Sequence, residues 1–355
     1  MDAFQLVRQL AQQRSLPLPS YVALIAHYTP DVAAYAAQLA REKRRQVYGD
    51  VVFVRGLMEI SNICGNDCYY CGIRKSNIHC RRYALSEQDI MACCQQGYNL
   101  GFRTFVLQGG ESGVYSVERI CQLARDIKGA FPGCALTLSL GEYPYAAYQA
   151  MRQAGVDRYL LRHETANAAH YAMLHPPSMH YAHRMRCLDD LKALGFQAGC
   201  GFMVGTPGQT PDILAEDLKF VEQYAPEMCG IGPFIPHHET PLGHCPAGSV
   251  ELTLFLLSLV RLMHPNVLLP ATTALNTLAT DGREKGILAG ANVVMPNLSP
   301  PAQREKYSLY DNKLSTGAES AHNLEALRQS IAAAGCRMVM DRGDYLPLRN
   351  VSYTE

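Results

Sequence analysis

The chain has 355 residues, 48% of them hydrophobic, and its 32 Lys and Arg balance 32 Asp and Glu. Zero net charge argues against nucleic acid or an anionic membrane surface as the main partner, because both are recognised through an excess of basic charge. Thirteen cysteines without a disulfide-like spacing fit a reducing compartment, so we expect a cytoplasmic protein.

The N-terminal segment 3–45 shows helical periodicity of its apolar residues. Pro17, Pro19 and Pro30 divide it, because proline is favoured at the start of a helix and disrupts its interior. We therefore predict a helical cap, residues 1–50, that packs on the rest of the chain.

From residue 51 onward, β-rich segments alternate with amphipathic helical segments. Eight strands are predicted, at 51–59, 103–108, 135–140, 157–162, 196–204, 228–234, 267–272 and 291–295. The helices predicted between them include 86–98, 117–129, 144–154, 180–194, 211–223 and 250–263. This alternation predicts an α/β protein with a (β/α)8 TIM-type barrel over residues 51–315, and a doubly wound sheet is the alternative. Residues 316–355 are predicted to form a final helix, Thr316–Ala334, and a tail.

Membrane association is not expected. The longest apolar stretch, 252–263, contains Ser258 and Arg261. It is too short to cross the hydrocarbon core of a bilayer.

The loop after the first predicted strand carries Cys64, Cys68 and Cys71. This Cys-x3-Cys-x2-Cys motif offers three thiolates where an iron–sulfur cube normally takes four. Three thiolates would hold three irons and leave the fourth iron open to a small chelating molecule. A structural zinc site is the alternative, but zinc prefers four closed ligands and Cys80 stands alone. The motif therefore favours a [4Fe–4S] cluster with one open iron.

Glycines and polar residues follow the next strands, where a barrel places its active site. The second strand leads into 108–111, Gln-Gly-Gly-Glu, and the third ends near Ser139. Glycines let backbone N–H groups approach an anionic or zwitterionic ligand, and Glu111 can hold an ammonium group. A plain turn between strand and helix is the alternative.

Three charged or polar residues, Arg162, His163 and Glu164, follow the fourth strand directly. Buried charges need partners, so these side chains face a ligand or one another, as in a structural Arg–Glu pair. Arg184 and Arg186 lie on the next predicted helix. There a guanidinium can bind a carboxylate through two hydrogen bonds or lie on a solvated face.

The later strand ends supply apolar and hydroxyl groups. Met203 lies among glycines and offers a soft apolar wall for a flat ring. Thr272 and Thr273 are placed to donate hydrogen bonds to a polar substrate. His237 and His238 are possible metal ligands, but adjacent side chains point differently, and we favour a structural role.

Taken together, these segments resemble one family, the radical S-adenosylmethionine (SAM) proteins of [FeFe]-hydrogenase maturation called HydE. The matching segments are Ser61–Arg74, Val106–Glu111, Thr137–Pro144, Asp157–Asn167, Gly199–Thr210, Gly230–Pro236, Pro270–Thr273 and Gly290–Pro300. The strings LSLGEYP, DRYLLRHETAN and GIGPFIPH are its most specific part. Biotin synthase and methylornithine synthase are similar more loosely, through the cysteine loop and the barrel.

The resemblance implies a role for each matching position. Cys64, Cys68 and Cys71 would hold the [4Fe–4S] cluster, and SAM would bind its open iron. The cofactor site would include Gln108, Ser139, Glu164, Arg184 and Met203. The substrate cavity would be lined by Gln108, Arg162, Thr272, Thr273, Met295, Tyr307 and Tyr310, with Arg162, Thr272, Thr273 and Tyr307 acting in catalysis.

The resemblance also implies a reaction and partners. The enzyme would cleave SAM reductively to a 5′-deoxyadenosyl radical that acts on a cysteine-ligated iron–CO–cyanide complex during H-cluster assembly. Its partners would be other hydrogenase maturases and an electron donor. Two alternatives remain open: a methylornithine-synthase-like or other small-substrate radical SAM mutase, and an iron–sulfur carrier without SAM cleavage.

Some family members carry three further cysteines near the C-terminus that bind a second, dispensable cluster. The corresponding stretch of this chain, Asn312–Leu327, contains none, and Cys336 stands alone. The sequence therefore predicts one cluster per chain.

This expectation is tested by metal analysis. Fully reconstituted protein should bind about four irons per chain, the content of one cube. Cys336→Ser should leave the iron content and the electron paramagnetic resonance signal unchanged. A [2Fe–2S] signal that survives loss of Cys64, Cys68 and Cys71 would contradict the prediction.

Overall fold

The computed structural model describes residues 2–346, in which helices alternate with short parallel strands. The α-helices in this range are α1 (Ala3–Gln13), α2 (Leu18–Ala26), α3 (Pro30–Tyr48), α4 (Glu87–Asn99), α5 (Val117–Ala130), α6 (Tyr145–Gln153), α7 (Ala168–Leu174), α8 (Tyr181–Ala193), α9 (Pro211–Tyr224), α10 (Val250–Met263), α11 (Thr273–Leu278), α12 (Gly282–Leu288), α13 (Pro301–Arg304) and α14 (Leu324–Ala333). The strands are β1 (Val51–Val54), β2 (Gly56–Ser61), β3 (Thr104–Gly109), β4 (Ala135–Ser139), β5 (Arg158–Leu160), β6 (Gln197–Cys200), β7 (Met203–Val204), β8 (Met228–Cys229), β9 (Gly232–Pro233), β10 (Val293–Val294) and β11 (Arg337–Val339). None of the helices between residues 2 and 346 is long and apolar enough to cross a membrane.

The strands form a closed parallel ring. Strands β2, β3, β4, β5, β6 and β8 pair in that order. Single bridges continue the ring from Met228 to Leu268, from Pro270 to Val293, and back from Asn297 to Leu57. The predicted eight-position barrel is thus confirmed and the doubly wound alternative is excluded, because an open sheet would leave β2 at an edge.

Three predicted strands are interrupted. The segment 51–59 divides at Arg55. On one side both parts run beside residues 292–297, but on the other side β1 pairs with β11 and β2 pairs with β3. The segments 196–204 and 228–234 also divide, and β7 pairs with β9 beyond the ends of β6 and β8. A Cβ atom on Gly201 would lie 2.0 Å from the carbonyl oxygen of Gly230, so the two backbones approach where both strands break.

Six predicted helices between the strands are present as α4, α5, α6, α8, α9 and α10. Their starting signals act as expected: Ser86 and Asp89 form a capping box on α4, and the Thr210 hydroxyl accepts from the amide of Ile213. The final helix was predicted wrongly over its first part. Residues Gly317–Glu319 form a single 3₁₀ turn and α14 begins only at Leu324.

Two features of residues 317–319 account for the absence of an α-helix before Leu324. Gly317 has φ +60°, outside the right-handed helical region. The Glu319 carboxylate is buried against Arg283 and accepts a hydrogen bond from the Thr273 hydroxyl. The part of the predicted tail after residue 346 lies outside the described residues, and the boundaries at residues 50 and 315 stay predictions.

The N-terminal helices cover one side of the barrel, which confirms the predicted cap. Tyr28 stacks on Phe255 of α10 with ring centroids 4.9 Å apart. Tyr21 of α2 donates to Glu222 of α9 at 2.7 Å. Buried Arg44 of α3 donates to the carbonyl oxygen of Ile287, so the cap is attached by polar contacts as well as by apolar burial.

The C-terminal segment plugs the amino-terminal end of the ring. Arg158 on β5 is fully buried, and its guanidinium lies 2.5 Å from the Asp344 carboxylate. Gln197 on β6 donates to the same carboxylate, and Thr104 on β3 donates to the carbonyl oxygen of Arg342. Inward-facing polar residues of three strands are thus satisfied by one returning segment, which leaves the opposite end of the ring for a site.

Removing the Asp344 charge should therefore destabilise the fold. Asp344→Asn leaves Arg158 buried without its counter-charge, so we expect a loss of about 3 kcal/mol in the free energy of unfolding, measured by urea denaturation. Glu325→Gln at the exposed Arg328–Glu325 pair is the control and should change stability by about 0.5 kcal/mol or less.

The same pair predicts the direction of a pH effect. Burial alone would raise the pKa of Asp344, but the charges and hydrogen bonds of Arg158 and Arg342 outweigh it and hold that pKa well below its usual range. A carboxyl whose pKa is lower in the folded state stabilises the fold above its unfolded pKa of about 4 and loses this contribution as the pH falls. The gap in stability between wild type and Asp344→Asn should therefore shrink below about pH 4; a constant gap would contradict the argument.

Candidate functional site

A cavity of about 370 Å³ opens at the carboxyl ends of the barrel strands. This volume is in the range of small-molecule sites. Every residue predicted for the site lines it, namely Cys64, Cys68, Cys71, Gln108, Ser139, Arg162, Glu164, Arg184, Met203, Thr272, Thr273, Met295, Tyr307 and Tyr310. Residues far apart in sequence thus share one cavity because parallel strands end at the same rim.

The cysteine loop is held by its own polar residues. Arg74 donates two hydrogen bonds, of 2.7 and 2.6 Å, to the two carboxylate oxygens of Asp67. The Tyr69 amide donates to the carbonyl oxygen of Leu174 at 2.9 Å, which attaches the loop to the end of α7. The thiols of Cys64, Cys68 and Cys71 are free and half-buried.

Burial favours the protonated form of all three thiols. It raises the pKa of Cys64 and of Cys71, and raises that of Cys68 to about 12. Metal ligation requires thiolates, so a bound metal must displace these protons.

The predicted Gly-Gly-Glu turn packs directly on the cysteine loop. A Cβ atom on Gly110 would lie 2.3 Å from the carbonyl oxygen of Ile63 and 2.9 Å from the Cβ of Cys64. The Gly65 amide donates to the carbonyl oxygen of Glu111 at 2.6 Å. The glycine is therefore required for close approach of the two backbones, whatever ligand the cavity takes.

The Glu111 side chain also lies in the cavity wall. One of its carboxylate oxygens accepts from the amide of Glu142 at 2.9 Å, and burial raises the pKa of Glu111. Gly141, with φ +91°, has no room for a side chain because a Cβ atom would overlap this carboxylate.

Arg162, His163 and Glu164 diverge, although they are consecutive. Arg162 Nη2 lies 3.1 Å from Glu164 Oε2. The geometry is not that of a hydrogen bond, so neither atom has a hydrogen-bond partner among residues 2–346. Glu164 has φ +66°, an uncommon value outside glycine that occurs often at functional sites. The cavity thus contains a guanidinium and a carboxylate with unused hydrogen-bonding capacity.

His163 points the other way, into the protein. Its Nδ1 accepts from the Gly201 amide, and its Nε2 lies 3.5 Å from a carboxylate oxygen of Asp217. Both side chains are fully buried, and burial lowers the pKa of His163 and raises that of Asp217. Each group therefore favours its neutral form, and the pair supports the strand end rather than the cavity.

The structure separates the two arginines of α8, which the sequence alone did not distinguish. Arg186 is exposed. Arg184 is buried at the cavity wall, where its Nε donates to the Glu142 carboxylate and its Nη1 donates to the carbonyl oxygen of Arg162 at 2.6 Å. Only Arg184 is fixed in position to meet a ligand.

Two ion pairs at the far side of the cavity escaped the sequence analysis. Lys313 Nζ lies 2.6 Å from a carboxylate oxygen of the fully buried Glu59. Arg283 pairs with Glu319. A charged residue within the apolar strand 56–61 was the available signal for Glu59, because a buried charge needs a partner.

The rings of His237 and His238 stack with centroids 4.7 Å apart and an interplanar angle of 13°. Together with Asp311 they offer three possible ligand atoms within 4.8 Å of one another. Asp311 binds His238 through both its Nδ1, at 2.6 Å, and its backbone amide, and this contact joins two loops.

Comparison with known proteins adds to this geometry. Residues 58–221 match the Radical SAM superfamily. Over 277 residues the chain is 43% identical to the [FeFe] hydrogenase maturase subunit HydE of Thermotoga maritima, an alignment that covers 78% of this chain and 79% of that protein. It is 27% identical over 278 residues to the 3-methylornithine synthase of Methanosarcina acetivorans, with 78% of each chain covered. The crystal structure of methylornithine synthase (PylB) has a similar fold, with a TM-score of 0.83 and 24% identity over 94% of this chain and 97% of that chain.

The contact between Gly110 and the cysteine loop can be tested by substitution. Gly110→Ala should displace the loop, because Ile63 and Cys64 atoms occupy the space that the new methyl group needs. We expect at least a fivefold lower iron content after reconstitution, measured by metal analysis. Gly113→Ala, three residues away with open space at its Cβ position, is the matched control. Equal iron content in the two variants would contradict the argument.

Proposed function

This chain belongs to the HydE family of hydrogenase maturases within the radical SAM enzymes, and from this premise we propose that its cavity acts on a cysteine-ligated iron complex bearing CO and cyanide during H-cluster assembly. One observation carries the proposal: the three thiols share a cavity with Arg162, Glu164 and Thr272. Each of these three side chains has at least one polar atom without a hydrogen-bond partner among the described residues.

The family implies a [4Fe–4S] cluster and SAM, and the donor set fits them. Three thiols line the cavity, and no fourth cysteine of residues 2–346 does so. Cys64, Cys68 and Cys71 would hold the cluster and leave one iron for SAM. When bound and reduced by one electron, the cluster and SAM together supply a 5′-deoxyadenosyl radical.

The residues beside the thiols suit the polar groups of SAM. Arg184, fixed by Glu142, presents a cation to a carboxylate. Glu164 Oε2 has no hydrogen-bond partner in the described chain and can accept from a hydroxyl or ammonium group. Met203 supplies apolar surface for a flat ring. Gln108 and Ser139 complete the proposed cofactor side.

Arg162 is proposed to bind the carboxylate of the substrate cysteine. Its Nε and Nη2 are both without hydrogen-bond partners within residues 2–346, so two donors on one edge of the guanidinium are available. A planar fork of this kind matches a carboxylate in a way that a lysine ammonium does not. Thr272 Oγ1 is likewise unpartnered there, and adjacent Thr273 is held by Glu319.

The segment after the eighth strand position shields the cavity. Tyr307, Leu309, Tyr310 and Lys313 all line it from this side. Tyr307 is buried, and its hydroxyl accepts a hydrogen bond from Gln108. Such a cover keeps water and other hydrogen donors away from a reactive intermediate. Other hydrogenase maturases would supply and receive the iron complex.

Arg162→Lys tests the carboxylate role. The substitution keeps the charge and loses the two-pronged geometry. We expect normal iron content and SAM cleavage, measured as 5′-deoxyadenosine formed with dithionite, together with at least a tenfold loss of hydrogenase activation in a maturation assay. Loss of iron content in this variant would assign Arg162 to structure instead.

Two comparisons complete this experiment. Cys68→Ala should abolish 5′-deoxyadenosine formation, because the cluster loses a protein ligand; cleavage that persists after loss of all three cysteines would refute radical SAM chemistry at this site. Incubation with lysine separates the mutase alternative, since recovery of methylornithine would contradict the proposed substrate.

A further inference from the structure

One large apolar side chain is exposed beside the cysteine loop. Ile78 is 87% exposed, and the next most exposed large apolar residue within 2–346, Met173, reaches 54%. Burying an isoleucine side chain is worth about 1.5–3 kcal/mol. Ile78 therefore does not contribute the burial free energy that most apolar side chains of this fold contribute.

The exposure is not the result of a loose loop. Arg82 donates to four backbone carbonyl oxygens, those of Asn62, Ile73, Arg74 and Asn77, at 2.6 to 3.2 Å. The Asn77 side chain donates to the carbonyl oxygen of Gly72 at 2.7 Å and accepts from the amide of His79. Residues on both sides of Ile78 are thus held by side-chain hydrogen bonds, and its side chain is presented to solvent on a fixed backbone.

The same loop is basic in a chain of zero net charge. Residues 62–85 contain four arginines and lysines and a single carboxylate, Asp67, which is paired with Arg74. Lys75 and Arg81 are exposed, and no carboxylate among residues 2–346 forms an ion pair with either. Lys75, Ile78 and Arg81, together called the 75–81 face, combine an exposed apolar residue with two exposed cations that form no ion pair among residues 2–346. Exposed His79 between them lies 3.9 Å from a carboxylate oxygen of Glu239, which is the acidic group of a neighbouring loop at this face.

This face belongs to the loop that carries the thiols. Cys71 and Gly72 are adjacent, and the Gly72 carbonyl oxygen accepts from Asn77, next to Ile78. The inner side of the loop lines the cavity and its outer side carries the 75–81 face. A protein bound to this face would therefore contact the same loop that carries Cys71.

We propose that the 75–81 face docks a small acidic protein that carries one electron. The inference rests on the proposed function, because each SAM cleaved consumes one electron that the chain does not itself provide. The carrier is oxidised by one electron; as the carbon–sulfur bond of SAM breaks, methionine keeps an electron pair and the 5′-deoxyadenosyl fragment keeps the unpaired electron. Complexes of electron carriers bury small interfaces and rely on complementary charge, which fits two cations around one apolar contact.

The test uses a bacterial flavodoxin as the probe and dithionite as a reductant that needs no docking. The double variant Lys75→Glu/Arg81→Glu should raise the Kd for oxidised flavodoxin at least tenfold by calorimetry, and raise the KM for reduced flavodoxin in SAM cleavage likewise. Ile78→Ser, which changes no charge, should weaken binding about threefold or more, in keeping with the loss of apolar contact. The affinity of the wild type should fall as salt rises, and that of the double variant should change less.

Arg45→Glu/Arg125→Glu is the matched control, because it makes the same change in net charge at two exposed arginines outside the cysteine loop. Arg45 lies on α3 of the N-terminal cap, where its partner Asp50 is exposed too, and Arg125 lies on α5. This variant should leave both flavodoxin constants within twofold of wild type. Dithionite-driven SAM cleavage should be unchanged in all variants, and failure of that reaction in the wild type would refute the proposed function independently of flavodoxin binding.

Three results would overturn the docking proposal. The first is that the flavodoxin Kd and KM are unchanged in both the double variant of the 75–81 face and Ile78→Ser, or that the control Arg45→Glu/Arg125→Glu raises them equally. The second is loss of dithionite-driven cleavage in both variants of the face, which would assign the loop to cluster assembly. The third is unchanged flavodoxin constants with a fall in hydrogenase activation, which would show that the face binds another maturase.

Discussion

The closed ring of parallel strands is the constraint on which the site depends. Single bridges complete it, including the contact between Leu57 and Asn297, and the β1–β10 pair extends that last junction. Once closed, the ring brings eight carboxyl ends to one rim, so the loops at that rim enclose a single cavity. Cys64, Arg162 and Thr272, from three distant parts of the chain, meet there for this reason.

Several charged side chains line the cavity, and most of them form ion pairs within the protein. Glu59 is neutralised by Lys313, and Glu319 by Arg283. Arg184 is fixed by Glu142. Taking an ion out of water costs several kcal/mol unless it is paired and hydrogen-bonded. Arg162 and Glu164, which approach each other without a hydrogen bond, are therefore the groups with most to gain from a ligand.

The last part of the described chain completes both ends of the barrel. Residues 307–319 cover the cavity through Tyr307, Lys313 and Glu319, while Arg342 and Asp344 close the opposite end against Arg158. Loss of the C-terminal segment would therefore expose polar groups at both ends of the ring. The cysteine loop has a similar double role, with thiols on its inner side and a basic, partly apolar surface on its outer side.

The sequence by itself determined the local features: the Cys-x3-Cys-x2-Cys motif, the alternation of strands and helices, the helix caps, and the family through short strings such as LSLGEYP. These depend on residue type and short spacing, which a single chain displays directly. Tertiary structure alone decided which of two arginines on α8 enters the cavity, that His163 turns away from it, and that Lys313 pairs with Glu59 across 254 positions. Helix phase, strand breaks and long-range pairing fix these choices, because the energy of a buried charge depends on partners that sequence spacing does not reveal.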